Sequence, residues 1–246
     1  MKVNRAIIMA GGEGDRMNPL TKYLPKCYLP IYDEPLLIKQ LKWLIEANIN
    51  EVFITLNQKF GDLISKLLSY TDLGKEIKIN LVIEQTRKGI GLSLLELRHY
   101  VAGEPFIFLL GDEYYKDPNF FKEIKNIDDD CIVMGATSYK EKKRIMSGCN
   151  FELKDNKIIK MIEKPNENQI ISEWCWSGVS VFQDSVFESL LENKEQLKDN
   201  RVLINGLTNL IEKGNKVMYI KDFSENINMT DIKDYYTACS LEKNKY

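Results

Sequence analysis

Histidine is almost missing from this 246-residue chain: the one copy, His99, stands in LLELRHYVAG. With no second histidine and no GxSxG, a Ser–His–Asp hydrolase is unsupported, and His99 reads as a helix-end or surface residue. The five cysteines (Cys27, Cys131, Cys149, Cys175, Cys239) never fall at CxxC spacing. That speaks against a zinc cluster or a redox dithiol and leaves small core residues of a reducing compartment. An excess of either charge is lacking too, with 34 Lys+Arg against 36 Asp+Glu, whereas a nucleic-acid binder usually carries a basic excess on one face. No apolar run approaches the roughly 18 residues of a membrane span. The opening MKVNRAIIMAGG has too short an apolar stretch and no cleavage site for a signal peptide. These absences lead us to expect a cytoplasmic protein without nucleic-acid or membrane partners. The 44 % hydrophobic content is enough for a real core.

What is present is an alternation of short apolar runs and helical patterns. AIIMA (6–10), EVFITL (51–56), IKINLVIE (77–84) and FIFLL (106–110) read as strands. PLLIKQLKWLIEAN (35–48), LISKLLSY (63–70) and GLSLLELRHYV (91–101) between them read as helices. This β-α-β-α order predicts a mostly parallel sheet with right-handed crossovers and helices on both sides. After about residue 130 the pattern changes. CIVMGATSY (131–139) is a strand, FELKDNKIIKMIEK (151–164) a hairpin turning at Lys154-Asp155-Asn156, and WCWSGVSVF (174–182) a strand. SVFESLLEN (185–193) and VLINGLTNLIEKG (202–214) read as helices, VMYIKDF (217–223) as a strand, and DIKDYYTACSLEKN (231–244) as a closing helix. With no repeat, low-complexity stretch or linker, a single α/β domain spanning 1–246 with a mixed second half is expected.

The first strand runs into Gly11-Gly12-Glu13-Gly14-Asp15-Arg16. Glycines there let backbone N–H groups approach a ligand, and a loop at the carboxyl end of a strand is where α/β sheets bind phosphate. Walker A needs a closing GK[ST], which is absent, and the dinucleotide fingerprint fails because Met17 stands where its third glycine belongs. Pro19, Pro25 and Pro30 stiffen the loop that follows. Arg16 and Lys26 lie far enough along it to fold back over the glycine turn, and two fixed cations beside a nest of N–H groups suit a polyphosphate.

At this point GGEGDRMNPLTKYLPKCYLPI resembles the signature GGxGTRLxPLTxxxPKxLxPI of the nucleotidyltransferases that make nucleotide-sugars. Later landmarks recur in order: GDE after the fourth strand, EKP near 164, a W/S-G strand and an Asn/Asp segment before the last helix. The resemblance implies a Rossmann-like three-layer α/β/α domain with a mixed, mostly parallel sheet. Its nucleotide-binding half would be about 1–130 and its acceptor-binding half about 131–246. It also implies transfer of a nucleoside monophosphate from a nucleoside triphosphate to a phosphorylated small-molecule acceptor, releasing pyrophosphate, with Mg²⁺ as cofactor and a homo-oligomer as an option.

Residue by residue, the resemblance makes Arg16, Lys26 and Lys164 catalytic. It makes Ala10, Gly11, Gly12, Gly14, Glu84, Gln85 and Gly89 nucleotide-binding. Gly148, Glu163, Lys164, Trp176 and Gly178 would surround the acceptor, and Asp112 and Asn228 would hold the metal. Asp112 follows a buried strand through Gly111 and so emerges at the carboxyl edge, where a carboxylate suits Mg²⁺. Many sugar-specific members have Asp where this chain has Asn228; the uridylyltransferases acting on N-acetylglucosamine 1-phosphate have Asn. Asp222, Glu225 and Asp231 are alternatives nearby. Gln85 can both donate to and accept from a pyrimidine edge. Trp174 and Trp176 share a strand face at i, i+2 spacing, as core aromatics or as one wall of the acceptor pocket.

Two departures stand out. Asp15 replaces the Thr of the signature beside the triphosphate and would repel it unless paired with Arg16 or Lys26 or holding a second Mg²⁺. The chain also ends soon after the core, so the acyltransfer and allosteric sites of longer members are not expected. The basic cluster YKEKKR (139–144) reads as a solvated face. The acceptor is a sugar 1-phosphate in the leading reading. The other readings are a cytidylyltransferase acting on a phosphocholine-like metabolite and a catalytically silent nucleotide-binding relative.

Overall fold

The computed structural model describes residues 3–84, 89–124, 131–193, 202–221 and 226–244. In chain order the first elements are β1 (Arg5–Met9), β2 (Pro30–Ile31), β3 (Glu34–Pro35), α1 (Leu36–Glu46) and β4 (Glu51–Leu56). Next come α2 (Gly61–Ser69), β5 (Lys78–Ile83), α3 (Ile90–Glu96), α4 (Arg98–Val101), β6 (Phe106–Leu110), β7 (Glu113–Tyr115) and α5 (Phe120–Ile124). Then follow β8 (Cys131–Ser138), α6 (Lys142–Ile145), β9 (Cys149–Lys154), β10 (Lys157–Glu163) and β11 (Trp174–Phe182). The last are α7 (Ser185–Asn193), α8 (Val202–Glu212), β12 (Lys216–Lys221), β13 (Asn226–Asn228) and α9 (Ile232–Lys243).

Two compact units are interleaved along the chain. One comprises Asn4–Gln85, Phe108–Lys125 and Ser224–Tyr246; the other comprises Met1–Val3, Thr86–Ile107 and Asn126–Phe223.

In the first unit the strands run β5-β4-β1-β6, with β1–β4 and β4–β5 parallel. Ala6, Ile7 and Ile8 of β1 are fully buried, as a continuous apolar run in a parallel sheet requires. Helix α1 buries Leu37, Leu41 and Leu44, a stripe at helical spacing. It stops at Asn48 (φ 54), where the N–H groups of Asn48 and Ile49 close back on Ile45 and Leu44. A two-stranded ribbon, β7 against β13, completes this unit, with Glu113 opposite Asn228 and Tyr115 opposite Asn226.

In the second unit the order is β11-β8-β12-β10-β9. β8 and β12 are parallel; β8–β11, β12–β10 and β10–β9 are antiparallel, so the sheet is mixed as expected. The β9–β10 hairpin turns through Asp155 (φ 48) and Asn156 (φ 60), the left-handed pair that a two-residue turn of matching twist needs. α3 lies against α8 at Gly91, where a β-carbon would come within 2.7 Å of Leu203 N. Gly91 is therefore a packing glycine.

The single helix expected over 91–101 divides at Leu97, whose N–H bonds Leu94 three residues back. His99 is exposed on α4 with its ring 3.8 Å from that of Tyr100, in keeping with a surface residue. Cys27, Cys131, Cys149 and Cys175 are buried, and burial pushes the thiols of Cys27 and Cys175 up to about 12, so they stay neutral. No helix among the described residues is long and apolar enough to cross a membrane.

Candidate active site

In the first unit β1 delivers the chain to Ala10, whose N–H donates to both the carbonyl and the Oγ1 of Thr55 at 3.2 Å. A β-carbon on Gly11 would fall 2.5 Å from the carboxyl carbon of Glu84. The bare backbone there is what admits that carboxylate to the glycine loop. Gly14 adopts φ 74, and its carbonyl accepts from Thr21 Oγ1 at 2.7 Å and from Met17 N–H at 2.8 Å. Gly12 differs from both: a β-carbon there would meet nothing within 4 Å among the described residues beyond its chain neighbours.

The loop does fold back on itself. A β-carbon on Gly14 would lie 3.1 Å from Cγ of Lys26. The Lys26 Nζ reaches Asp112 Oδ2 at 2.7 Å, with 13 % and 28 % of the two side chains exposed. Arg16 lies exposed in a single 3-10 turn, Asp15–Met17. Among the described residues neither Asp15 nor Arg16 forms a salt bridge, so Lys26 is committed to Asp112 and the offsetting pair considered for Asp15 is not formed.

Asp112 is held from three sides. Gly111 N–H bonds Met9 O at 2.9 Å, and a β-carbon on Gly111 would meet that same oxygen at 2.8 Å. The buried Gln40 donates its amide to Leu110 O and Glu113 O, both at 3.0 Å, bracketing the Gly111-Asp112 turn. Asp112 O in turn accepts from Met229 N–H at 2.9 Å, which ties it to the strand carrying Asn228.

The side chain of Asn228 donates to Glu113 at 2.6 Å and accepts from Thr230 Oγ1 at 2.7 Å. Burial, with the Asp112 charge beside it, holds the Glu113 carboxyl well above the usual carboxylate range, opposed by the Asn228 bond and by Lys26. Asp231 is the N-cap of α9, accepting from Lys233 and Asp234 N–H groups in a capping box, so it serves the helix. Gln85, Asp222 and Glu225 lie outside the described residues.

The second unit carries the residues expected around the acceptor. Glu163 pairs in register with Cys149, and Lys164 N–H bonds Gly148 O at 2.8 Å, so Gly148, Glu163 and Lys164 come together at the end of the β9–β10 hairpin. Lys164 holds φ 48, which costs a non-glycine residue about 1–3 kcal/mol, with its side chain 63 % exposed and its Nζ 4.0 Å from Glu163. Gly178 (φ 82) lies within the irregular stretch of β11 between Trp176 and Ser180. Trp176 spans that irregularity, its indole N–H donating to Val179 O at 2.9 Å. Trp174 and Trp176 are both half-buried, flanking the buried Cys175. Gly89 (φ 93) precedes α3 in this unit.

Sequence reasoning missed Gln40 and Glu113. Gln40 occupies an interior helical position that spacing marks as apolar. Glu113 is a charged residue beside two buried tyrosines, and that clash of type with environment was the one available signal.

The chain matches the nucleotidyl transferase family over residues 5–238. It is 28 % identical over 210 residues to the bifunctional protein GlmU of Methanococcus maripaludis, a match covering 85 % of this chain and 47 % of that protein. The chain thus spans about half the length of these relatives. It is 26 % identical over 256 residues to the UTP–glucose-1-phosphate uridylyltransferase of Staphylococcus epidermidis, covering 92 % of this chain and 86 % of that one. Among solved structures, a UDP-glucose pyrophosphorylase complexed with UDP-glucose matches with TM-score 0.85 at 20 % identity, covering 99 % and 100 % of the two chains. The inositol-1-phosphate CTP transferase from T. maritima matches with TM-score 0.79 at 19 % identity, covering 99 % and 97 %. At such identities these structures establish the fold, a mixed α/β nucleotidyltransferase fold. With the signature loop, the later landmarks and a match running nearly end to end, the chain belongs to the nucleotidyl transferase family.

Proposed function

We propose that this protein transfers a nucleoside monophosphate from a nucleoside triphosphate, a pyrimidine one by preference, to a sugar 1-phosphate, forming a nucleotide-sugar. The observation that carries this reading is the Lys26–Asp112 contact at 2.7 Å. It brings the second cation of the glycine loop to the carboxylate at the strand edge, inside one unit. The single-domain reading of the chain and the layering of helices on both faces of its sheet belong to the same proposal.

In the reaction a phosphate oxygen of the acceptor attacks the α-phosphorus. A new P–O bond forms, the α–β bridging P–O bond breaks, and pyrophosphate leaves with the electron pair. A phosphate monoester has its second pKa near ~6 and is already a dianion at neutral pH, so no general base is required. Catalysis rests on alignment and on neutralising charge. Arg16 and Lys26 would serve the triphosphate, and Lys164 the acceptor's phosphate. The donor set fits Mg²⁺: Asp112 supplies a carboxylate and Asn228 an amide oxygen, hard ligands that leave room for phosphate and water. Among the described residues no group of three His, Cys, Asp or Glu side chains forms an all-protein metal cage, which suits a metal held partly by substrate. When bound, Mg²⁺ would offset the negative charge of the phosphates. Glu84 and Gln85 would meet the base, and Gly148, Glu163, Trp176 and Gly178 the acceptor.

Calorimetric titration with CTP, dTTP, UTP, GTP and ATP, with and without Mg²⁺, tests the reading. Preference for one nucleotide, strengthened by Mg²⁺, followed by pyrophosphate release with a sugar 1-phosphate, is expected. Release with a phosphocholine-like acceptor instead would move the substrate class, and no binding of any of the five by folded protein would overturn the reading.

Gly12 offers a sharper check. The described residues leave space for a methyl group there, so Gly12→Ala is expected to leave the melting temperature unchanged. Against a bound phosphate that methyl would cost about 1–3 kcal/mol, or roughly 5–150-fold in triphosphate affinity by calorimetry. Unchanged affinity would remove the phosphates from this loop.

A further inference from the structure

Glu113 is a carboxylate with 2 % exposure in the ribbon that carries Asn228, and the reaction just described does not use it. Its two oxygens take different donors: Oε2 accepts from Asn226 Nδ2 at 2.8 Å and Oε1 from Asn228 Nδ2 at 2.6 Å. The other end of the Asn228 amide is held by Thr230, whose Oγ1 donates to Asn228 Oδ1 at 2.7 Å. The two ends of an amide are alike in shape and opposite in hydrogen-bonding sense. Turned over, Asn228 would withdraw its NH2 from Glu113 and leave Oε1 without the donor it has now. The orientation present gives each Glu113 oxygen an amide NH2 donor, and in it Asn228 Oδ1 keeps a second lone pair beyond the one Thr230 uses.

The geometry points to Glu113 as the positioning residue of the cation site: it turns the Asn228 amide so that Oδ1 is the ligand atom. The inference rests on the reading of Asp112 and Asn228 as metal ligands.

The test compares the starting protein, Glu113→Gln, and the double variant Glu113→Gln with Asn228→Asp. Mn²⁺ alone is titrated and followed by electron paramagnetic resonance. Melting temperatures and the side-chain amide signals of Asn228 in a ¹H–¹⁵N spectrum are recorded alongside. In Glu113→Gln one end of the new amide faces an asparagine NH2, so Asn228 turns over and presents Nδ2. Mn²⁺ affinity is expected to fall about 10–100-fold, the usual effect of losing a partner that orients a ligand, and the Asn228 amide signals shift. In the double variant the introduced glutamine can accept from Asn226 and donate to the introduced aspartate, so each of these donors again meets an acceptor. Both Mn²⁺ affinity and melting temperature are expected to recover. This second variant keeps the test open should Glu113→Gln alone fold poorly.

Mn²⁺ affinity in folded Glu113→Gln equal to that of the starting protein would overturn the inference, since a merely structural role would move only the melting temperature. A double variant that binds no better than the single one would overturn it too. A starting protein that binds no Mn²⁺, either alone or with the nucleoside triphosphate that binds best, would sink the metal reading itself, and this inference with it, an outcome recognisable before any variant is made.

Discussion

Lys26→Ala is expected to lower turnover by about 10²–10³, the loss seen when one fixed charge-stabilising group is removed from a preorganised site, with the fold intact. The structure explains the separation of the two effects. Lys26 is 13 % exposed and its ion-pair partner among the described residues is Asp112, a side chain 28 % open to solvent. Losing the ammonium thus leaves a carboxylate that water can still reach, a small cost next to that of a buried one. In the reaction, by contrast, Lys26 would meet the triphosphate, where charge on the leaving group grows as the bond breaks. The measurement is pyrophosphate release with the nucleotide that binds best, with melting of the same sample as a control. A fall in kcat larger than any rise in KM is the signature of a group that acts in the transition state. Lys26→Met should behave alike, because the stem packs against Gly14 and the lost function is the charge. Near-normal turnover would remove Lys26 from the catalytic set.

The largest stability effect is expected at Lys39, a residue the reaction does not use. Its Nζ lies 2.7 Å from Asp33 Oδ1 and 2.9 Å from Glu242 Oε1, with only 7 % and 6 % of the Lys39 and Glu242 side chains exposed. The hydroxyl of Tyr114 donates to the other oxygen of Glu242. This network ties α9 to α1 and to the ribbon strand β7. Lys39→Met would leave the Glu242 carboxylate in the core without its cation, at a cost of about 3–5 kcal/mol. Replacing both Lys39 and Glu242 by methionine should recover most of that, because a buried pair is worth little more than an apolar pair of similar volume. Urea unfolding of the three proteins measures both numbers, and a double variant as unstable as the single one would refute the account.

The same pair sets a pH dependence. The hydrogen bonds to Asp33 and Glu242 raise the Lys39 pKa against the opposing effect of burial. Its contribution is therefore fully present below the ordinary lysine value of about 10.4. It is lost as pH rises through the raised value of the folded state. The stability gap between the starting protein and Lys39→Met should hold from neutral pH to about 10 and narrow above it.

Much of this architecture is local in origin, and so it was legible in the residues themselves. β1 and β6 are unbroken apolar runs, which only a strand covered on both faces accommodates. Asp155 and Asn156 are residues that tolerate the left-handed conformation, and the hairpin turns there. The glycines and prolines of 11–30 announce a stiff loop with bare backbone, and the signature they compose identifies the family. The segments of α1, α7 and α8 read as helices from their residues alone, and the structure forms helices there.

Other features depend on residues distant in the chain, where no local pattern could carry them. The ribbon of β7 and β13 pairs two three-residue strands, Glu113–Tyr115 and Asn226–Asn228, far apart in the chain and too short for an alternation to register. The glycines divide in the same way. Gly12 is open to solvent, Gly91 is closed by α8, and Gly111 is closed by β1, although all three look alike in sequence. Gln40 reads as one more interior position of α1 until its amide is seen bracketing the turn at Asp112. The orientation of Asn228 is decided by Glu113 and Thr230, because an amide's direction is set by whichever donors and acceptors the fold places at its two ends. Sequence by itself determined the family, the loop and the chemical character of the candidate ligands. Tertiary structure alone decided which way those ligands point, since hydrogen-bond direction is a property of three-dimensional neighbours.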